Sequence, residues 1–139
     1  MTLFVAVLTF AASFTSATAQ RSVSPVGCFQ DLHEVQGDIF GFGVLKIRKN
    51  GNGYAGTFSE RRTEMGEHYD DTRLRNIRYD QNKHTLRFGI TFNYPIQTKR
   101  NTFAIVYRAG IRLNVGKKMR EQYSGPNPFF VRKKFLDCI

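Results

Sequence analysis

The chain of 139 residues has room for one domain, and its formal charge is +10 because 21 Lys and Arg outnumber 11 Asp and Glu. Hydrophobic residues make up 41% of the chain and charged residues 23%, which argues against wholesale disorder and against a multi-span membrane protein. The composition therefore predicts a small, compact and strongly basic protein.

The N-terminal segment has the pattern of a secretory signal peptide. Residues 3–14 form an apolar run without a charge, and Ala17-Thr18-Ala19 follows as an A-x-A cleavage pattern. The run is too short for a membrane-spanning helix, which needs roughly 20 apolar residues. We expect residues 1–19 to be removed and residues 20–139 to form one secreted or periplasmic domain that carries the whole charge and has no transmembrane span.

The first part of this domain alternates apolar and polar or small residues with a period of two, which is typical of strands. Residues 23–30 are a candidate strand, and residues 31–36 could form a short turn of helix. Phe40, Phe42 and Val44 alternate with glycines and predict the next strand. The Asn-Gly-Asn-Gly run at residues 50–53 predicts a hairpin turn, followed by a return strand around residues 54–58.

The second part continues the same pattern. Residues 74–80 are expected to pair with the strand at residues 86–92, in which Leu, Phe, Ile and Phe alternate with Arg, Gly and Thr. Further strands are predicted around residues 103–107, 111–115 and 129–135. The total is seven strands, or eight with residues 23–30.

These features predict an all-β, single-domain antiparallel meander. A meander of seven or eight strands closes most simply into a barrel, since closure removes exposed edges, and a two-sheet β-sandwich is the alternative. The Gly37–Gly41 segment, the Tyr54-x-Gly56-x-Phe58 pattern and the hairpins of residues 74–88 make the chain similar to small exported calycin-like barrels. That resemblance implies the barrel only. The chain has no Trp and hence no Gly-x-Trp motif, so no residue role is carried over.

Cys28 and Cys138 lie near the two ends of the predicted domain. In an exported protein such a pair favours a disulfide over a reactive thiol. The bond would close a loop of 110 residues and stabilise the fold by about 4 to 5 kcal/mol through chain entropy. It would also require the two ends to be neighbours, as they are when a barrel closes.

The charge is unevenly distributed along the chain. Residues 60–71 hold five acids and two bases, a net of −3, whereas residues 94–134 hold ten bases and one acid, a net of +9. The candidate anion-binding residues are the ten bases of this C-terminal third: Lys99, Arg100, Arg108, Arg112, Lys117, Lys118, Arg120, Arg132, Lys133 and Lys134. Tyr123, Phe129 and Phe130 are candidate aromatic contacts beside them.

This distribution favours a secreted or periplasmic, non-enzymatic binding protein that needs no cofactor. Its basic C-terminal face would contact an envelope polyanion, an acidic glycan, a nucleic acid or an anionic lipid. A related hypothesis is inhibition of an external hydrolase by an inserted loop. A solvated basic surface without a partner is the plain alternative.

Two other functions stay open. A barrel of about eight strands can carry one small apolar ligand. A secreted basic nuclease or metal-dependent hydrolase would draw on His33, His84 or the acidic loop, although the spacing in that loop matches no established motif. The weak metal candidates in the loop are Glu64, Glu67, His68, Asp70 and Asp71.

Overall fold

The computed structural model describes residues 23–36, 38–61, 71–93, 96–122, 127–135 and 138. These residues are nearly all β, and nine strands form one antiparallel sheet. The elements in chain order are β1 (Gly27–Val35), β2 (Asp38–Asn50), β3 (Gly53–Glu60), β4 (Thr72–Arg73), β5 (Arg75–Asp80), β6 (Thr85–Phe92), β7 (Thr98–Val106), β8 (Gly110–Leu113), α1 (Lys117–Gln122) and β9 (Phe129–Lys133). The predicted all-β class is confirmed.

The sheet is nearly closed into a barrel. Its strand order is β4-β3-β2-β1-β9-β8-β7-β6-β5, so β4 and β5 stand at the two edges although they are adjacent in the chain. Leu74 alone separates them, and its backbone N–H donates to the Gly56 carbonyl (2.9 Å). The predicted strand at residues 74–80 is confirmed as β5, and Leu74 joins it to the short β4 at the opposite edge. The two-residue β4 was not predicted, and it makes nine strands where seven or eight were expected.

Because successive strands run in opposite directions, the connections gather at two ends of the barrel. One end, which we call the Arg132 end because the Arg132 side chain lies there, carries residues 23–26, the β2/β3 and β5/β6 turns, and residues 107–109. The other end, called the loop end, carries the β1/β2 turn, Arg61, Asp71, Asn93, residues 96–97, residues 114–122 with α1, and residues 127–128. The short helix α1 lies in a segment that was expected to be a loop. It was too short to show a helical period in the sequence.

Inward side chains from most strands meet in one hydrophobic core. The ring of Phe58 packs edge-on against Phe92 and Phe130, with centroids 5.7 and 6.5 Å apart. Full burial of such a side chain contributes about 1.5–3 kcal/mol. The core includes Phe29, Leu45, Ile47, Phe58, Leu86, Phe88, Ile90, Phe92, Val106, Ile111, Leu113 and Phe130. The predicted inward face of β6 is thus confirmed.

One local prediction in the first hairpin was wrong. Residues 31–35 are not a helical turn but continue β1, because they pair with β2 as far as Val35 opposite Asp38. The strand predicted around Phe40, Phe42 and Val44 is confirmed as part of β2, and Leu45 and Ile47 of this strand lie in the core.

Glycine at position 43 permits close packing between β2 and β3. Its φ is +141°, and a Cβ there would lie 1.9 Å from the Ser59 carbonyl oxygen. Such a contact is impossible for any other residue without backbone movement. Gly43 therefore permits the close approach of β2 and β3 near the loop end of the barrel.

The two ends of the domain are neighbours. β1 pairs with β9, and Cys28 forms a disulfide with Cys138, with 6.2 Å between their Cα atoms. The predicted bond is confirmed. Among the described residues, no helix is long and apolar enough to cross a membrane.

Candidate functional site

The outer surface of β7, β8 and β9 combines basic and apolar side chains. The register places Ile105 beside Arg112 and Arg112 beside Phe129 in one outward row across the three strands. The next row, with Val106, Ile111 and Phe130, points into the core. Alternation along a strand therefore separates a surface row from a core row. The β7–β9 face comprises Ile105, Tyr107, Arg108, Arg112, Phe129, Val131 and Lys133.

The apolar members of this face are unusually accessible for their size. Ile105, Tyr107 and Val131 are 37%, 43% and 45% exposed. The rings of Tyr107 and Phe129 lie 6.0 Å apart, so these side chains form a contiguous patch and not scattered single residues. A contiguous exposed apolar patch is typical of an interaction site.

Arg112 is held at the centre of the patch. Its guanidinium carbon lies 5.2 Å from the centroid of the Phe129 ring, and Nη1 donates to the Asn127 carbonyl (3.0 Å). A guanidinium has five N–H donors, so this hydrogen bond leaves capacity for an anionic partner. The cation–π contact orients the exposed charge without neutralising it.

Arg132, a predicted anion-binding residue, instead points into the Arg132 end of the barrel. Its guanidinium stacks on Phe29, with 4.7 Å between guanidinium carbon and ring centroid. It donates to the carbonyls of Val26 (2.8 Å), Ser24 (2.8 Å) and Arg108 (3.1 Å). Burial lowers the pKa of Arg132. Its contacts are structural, because they tie β9 to the first residues and to the β7/β8 turn.

The other predicted bases divide between the two ends. Lys99, Arg100 and α1, which carries Lys117, Lys118 and Arg120, lie toward the loop end. Lys133, a member of the β7–β9 face, and the adjacent Lys134 are exposed near the Arg132 end. The basic third of the sequence is therefore not one continuous face.

The predicted aromatic contacts also separate. Phe129 lies half-buried on the β7–β9 face, whereas Phe130 is fully buried and belongs to the core, so its assignment as a surface contact is corrected. The two neighbours alternate across the sheet, and only the register with β8 decides which of them faces outward. Tyr123 lies outside the described residues.

The acidic side chains that the structure describes leave the β7–β9 face free of negative charge. Asp71 and Asp80 are exposed, and they flank β4 and β5. Asp31 and Glu60 lie at the loop end, where Asp31 accepts from the Phe42 N–H (3.2 Å) and Glu60 from the Asn93 N–H (2.6 Å). Among the described side chains, the acids therefore lie away from the β7–β9 face.

The two described histidines of the enzyme hypothesis lie at opposite ends of the barrel. His33 lies on β1 toward the loop end, and His84 lies in the β5/β6 turn at the Arg132 end. Asp71 is exposed, and Glu64, Glu67, His68 and Asp70 fall outside the described residues. Within the part of the chain that the structure describes, no group of three or more potential metal ligands is present.

Three outward arginines on β5 and β6 were not among the predicted anion-binding residues. Arg75, Arg78 and Arg87 lie outside the basic C-terminal third, so a count of charge along the chain passed over them. Arg87 alternates with Leu86 and Phe88, and that pattern was the available signal for an outward position.

Comparisons with protein-family models, with curated proteins and with solved structures found no match.

Proposed function

We propose that this protein is an exported, non-enzymatic binding protein that attaches to anionic membrane surfaces through the β7–β9 face. The observation that carries the proposal is the outward row Ile105–Arg112–Phe129, which places a cation between the exposed Ile105 and the half-buried Phe129. The predicted signal peptide and the Cys28–Cys138 disulfide support an oxidising compartment outside the cytoplasm.

Lipid fits this face better than a purely charged polymer. An acidic glycan would pair with the arginines and lysines but would leave Ile105 and Val131 exposed to water. A single-stranded nucleic acid needs open aromatic surfaces for stacking, and the Phe129 ring already contacts both Arg112 and Tyr107. A bilayer interface offers phosphate groups and an apolar layer together.

The expected energies agree with this choice. Each Lys or Arg close to an anionic membrane contributes about 1 kcal/mol, so Arg108, Arg112, Lys133 and Lys134 would supply about 4 kcal/mol. That alone corresponds to a dissociation constant of about 1 mM. Burial of the exposed apolar side chains, at about 25 cal/mol per Å², is needed for tighter attachment.

The test is co-sedimentation with phosphatidylcholine vesicles, with or without a minor share of phosphatidylglycerol. We expect binding only to the anionic vesicles, partial loss of binding in high salt, and weaker binding of Arg112→Gln. Arg48→Gln is the matched control, because Arg48 is an exposed arginine on β2, away from the face.

Equal loss of binding in Arg112→Gln and Arg48→Gln would refute the proposal, since it would show that only net charge matters. Retention on a glycan column that exceeds vesicle binding at equal salt would also refute it in favour of a soluble polyanion.

A further inference from the structure

A second basic site lies on the outer wall of β5, β6 and β7. Two neighbouring rows cross these strands: Arg78 pairs with Arg87 and Arg87 with Phe103, while Arg75 pairs with Gly89 and Gly89 with Asn101. We call this group of six residues the Gly89 cradle. A depression of about 280 Å³ lies on this wall, and Arg87, Gly89, Asn101 and Phe103 line it together with Asn76. Arg75 and Arg78 do not line the depression but lie next to it on β5, opposite Gly89 and Arg87.

Gly89 makes room for the side chain of Arg75. A Cβ at this position would lie 2.8 Å from Nε of Arg75, so glycine allows the Arg75 guanidinium to lie across β6. Arg75 is held there by hydrogen bonds to the Thr91 hydroxyl (3.2 Å) and the Ile90 carbonyl (3.3 Å). One cation is thus fixed over Gly89, beside the depression.

The Arg78–Arg87 pair places two like charges opposite each other, and an anion bound between them would relieve their repulsion. Both side chains are exposed and directly opposite each other, and like charges in such a cross-strand pair are destabilising. The guanidinium carbon of Arg87 also lies 5.8 Å from the centroid of the Phe103 ring, which keeps it beside the depression. Three arginines therefore converge where β5 and β6 pair.

We propose that the Gly89 cradle binds a phosphate or sulfate ester. Guanidinium groups recognise such oxyanions through paired N–H donors, and Arg75, Arg78 and Arg87 supply them from two strands. The volume exceeds that of the bare anion, and Asn101, Asn76 and the edge of Phe103 would contact the sugar or base that carries it. The site is separate from the β7–β9 face and does not depend on membrane attachment.

The test is an NMR titration of the folded chain that follows the backbone amide of Gly89 and the Nε–H signals of the arginines. The probes are AMP with adenosine as its uncharged partner, and glucose 6-phosphate with glucose. We expect saturable shifts at Gly89 for both phosphate esters and none for adenosine or glucose. Arg87→Gln should weaken binding by about tenfold or more, because it removes a charged hydrogen-bond donor to the phosphate.

Arg48→Gln is again the matched control and should bind AMP as the wild type does. Equal shifts with AMP and adenosine, linear shifts without saturation, or equal weakening in Arg48→Gln and Arg87→Gln would each overturn the proposal. An unchanged amide spectrum of Arg87→Gln away from the cradle serves as the check that this variant is folded.

The phosphate ester could be free or part of a lipid headgroup, and vesicles distinguish the two sources. Phosphatidic acid presents a phosphate monoester, whereas phosphatidylglycerol presents a diester. If the source is a headgroup, Arg87→Gln will weaken binding to phosphatidic acid vesicles more than to phosphatidylglycerol vesicles. If the source is a free ester, AMP will bind while both vesicle types respond alike. Failure of AMP to bind alongside normal phosphatidylglycerol binding would reject the cradle and leave the proposed function intact.

Discussion

The two faces of β8 and β9 use arginine in opposite ways. Arg132 points inward, stacks on Phe29 and satisfies backbone carbonyls, whereas Arg112 points outward, over Phe129, with its charge exposed. Both belong to the same basic stretch of sequence. The difference shows that the direction of a side chain in the sheet, and not local charge density, decides whether a base stabilises the fold or presents charge to a partner.

The largest expected effect is a difference in stability between the Phe130→Ala and Phe129→Ala variants. Phe130→Ala would remove a fully buried ring and leave a cavity, which costs about 3–5 kcal/mol in the free energy of unfolding. Phe129→Ala removes a half-buried ring from the outer face and should cost less than half as much while weakening vesicle binding. Urea denaturation and co-sedimentation measure the two effects. Equal destabilisation by both variants would contradict the assigned register.

The next largest effect concerns the two arginines. Arg132→Ala should lower the free energy of unfolding by about 3 kcal/mol, because it removes charge-assisted hydrogen bonds that join β9 to residues 24–26 and 108. Arg112→Ala should change stability by less than about 1 kcal/mol. Lys133→Ala, adjacent to Arg132 but outward, is the control. If Lys133→Ala and Arg132→Ala destabilise equally, the inward arginine has no special structural role.

Much of the fold was predictable because it depends on patterns that repeat locally. The alternation in β6 predicted its core face correctly, and the positions of the two cysteines predicted that the ends of the chain meet. The inward direction of the Arg132 side chain could not be predicted from its segment, since residues 129–134 contain two adjacent phenylalanines and three adjacent bases. Only pairing with β1 and β8 selects which of them face inward.

The break between β4 and β5 at Leu74 and the Gly89 cradle were unpredictable for a related reason. Leu74 lies between two strands that form the opposite edges of the sheet, and these edges come together only when the barrel closes. Arg78 and Arg87 are nine positions apart in sequence and become direct neighbours only through the β5/β6 register. Counting charge by segment therefore identified the basic C-terminal third but did not identify the Gly89 cradle.

A smaller effect is expected for the exposed apolar residues. Val131→Ser should leave stability within about 0.5 kcal/mol of the wild type, since Val131 is on the outer surface. It should weaken binding to anionic vesicles about three- to fivefold, because an apolar contact of up to about 1 kcal/mol is lost. Vesicle co-sedimentation at high salt, where charge contributes least, is the sharpest measurement. Unchanged binding there would show that the apolar patch does not enter the bilayer.

The smallest effect should appear at high pH and only on the inward side. Burial raises the pKa of Tyr79 above its ordinary value of 10.0, with Tyr54 and Asp80 adding to the shift and Arg132 opposing it. The Tyr79 hydroxyl donates to the Val23 carbonyl (2.5 Å), so Tyr79→Phe should cost about 1 kcal/mol at neutral pH.

The pH dependence follows because the folded chain holds the Tyr79 proton more tightly than the unfolded chain does. Below pH 10 the Tyr79 hydroxyl keeps its proton in both the folded and the unfolded chain, and its contribution to stability is complete. As the pH rises past 10, the unfolded chain releases the proton first, so stability falls until the pH reaches the raised pKa of the folded protein. The stability difference between wild type and Tyr79→Phe should therefore shrink above pH 10. Tyr107→Phe, on the outer face, should follow the wild type at every pH, and a parallel shrinkage in that variant would mean that the inward position of Tyr79 is not the cause.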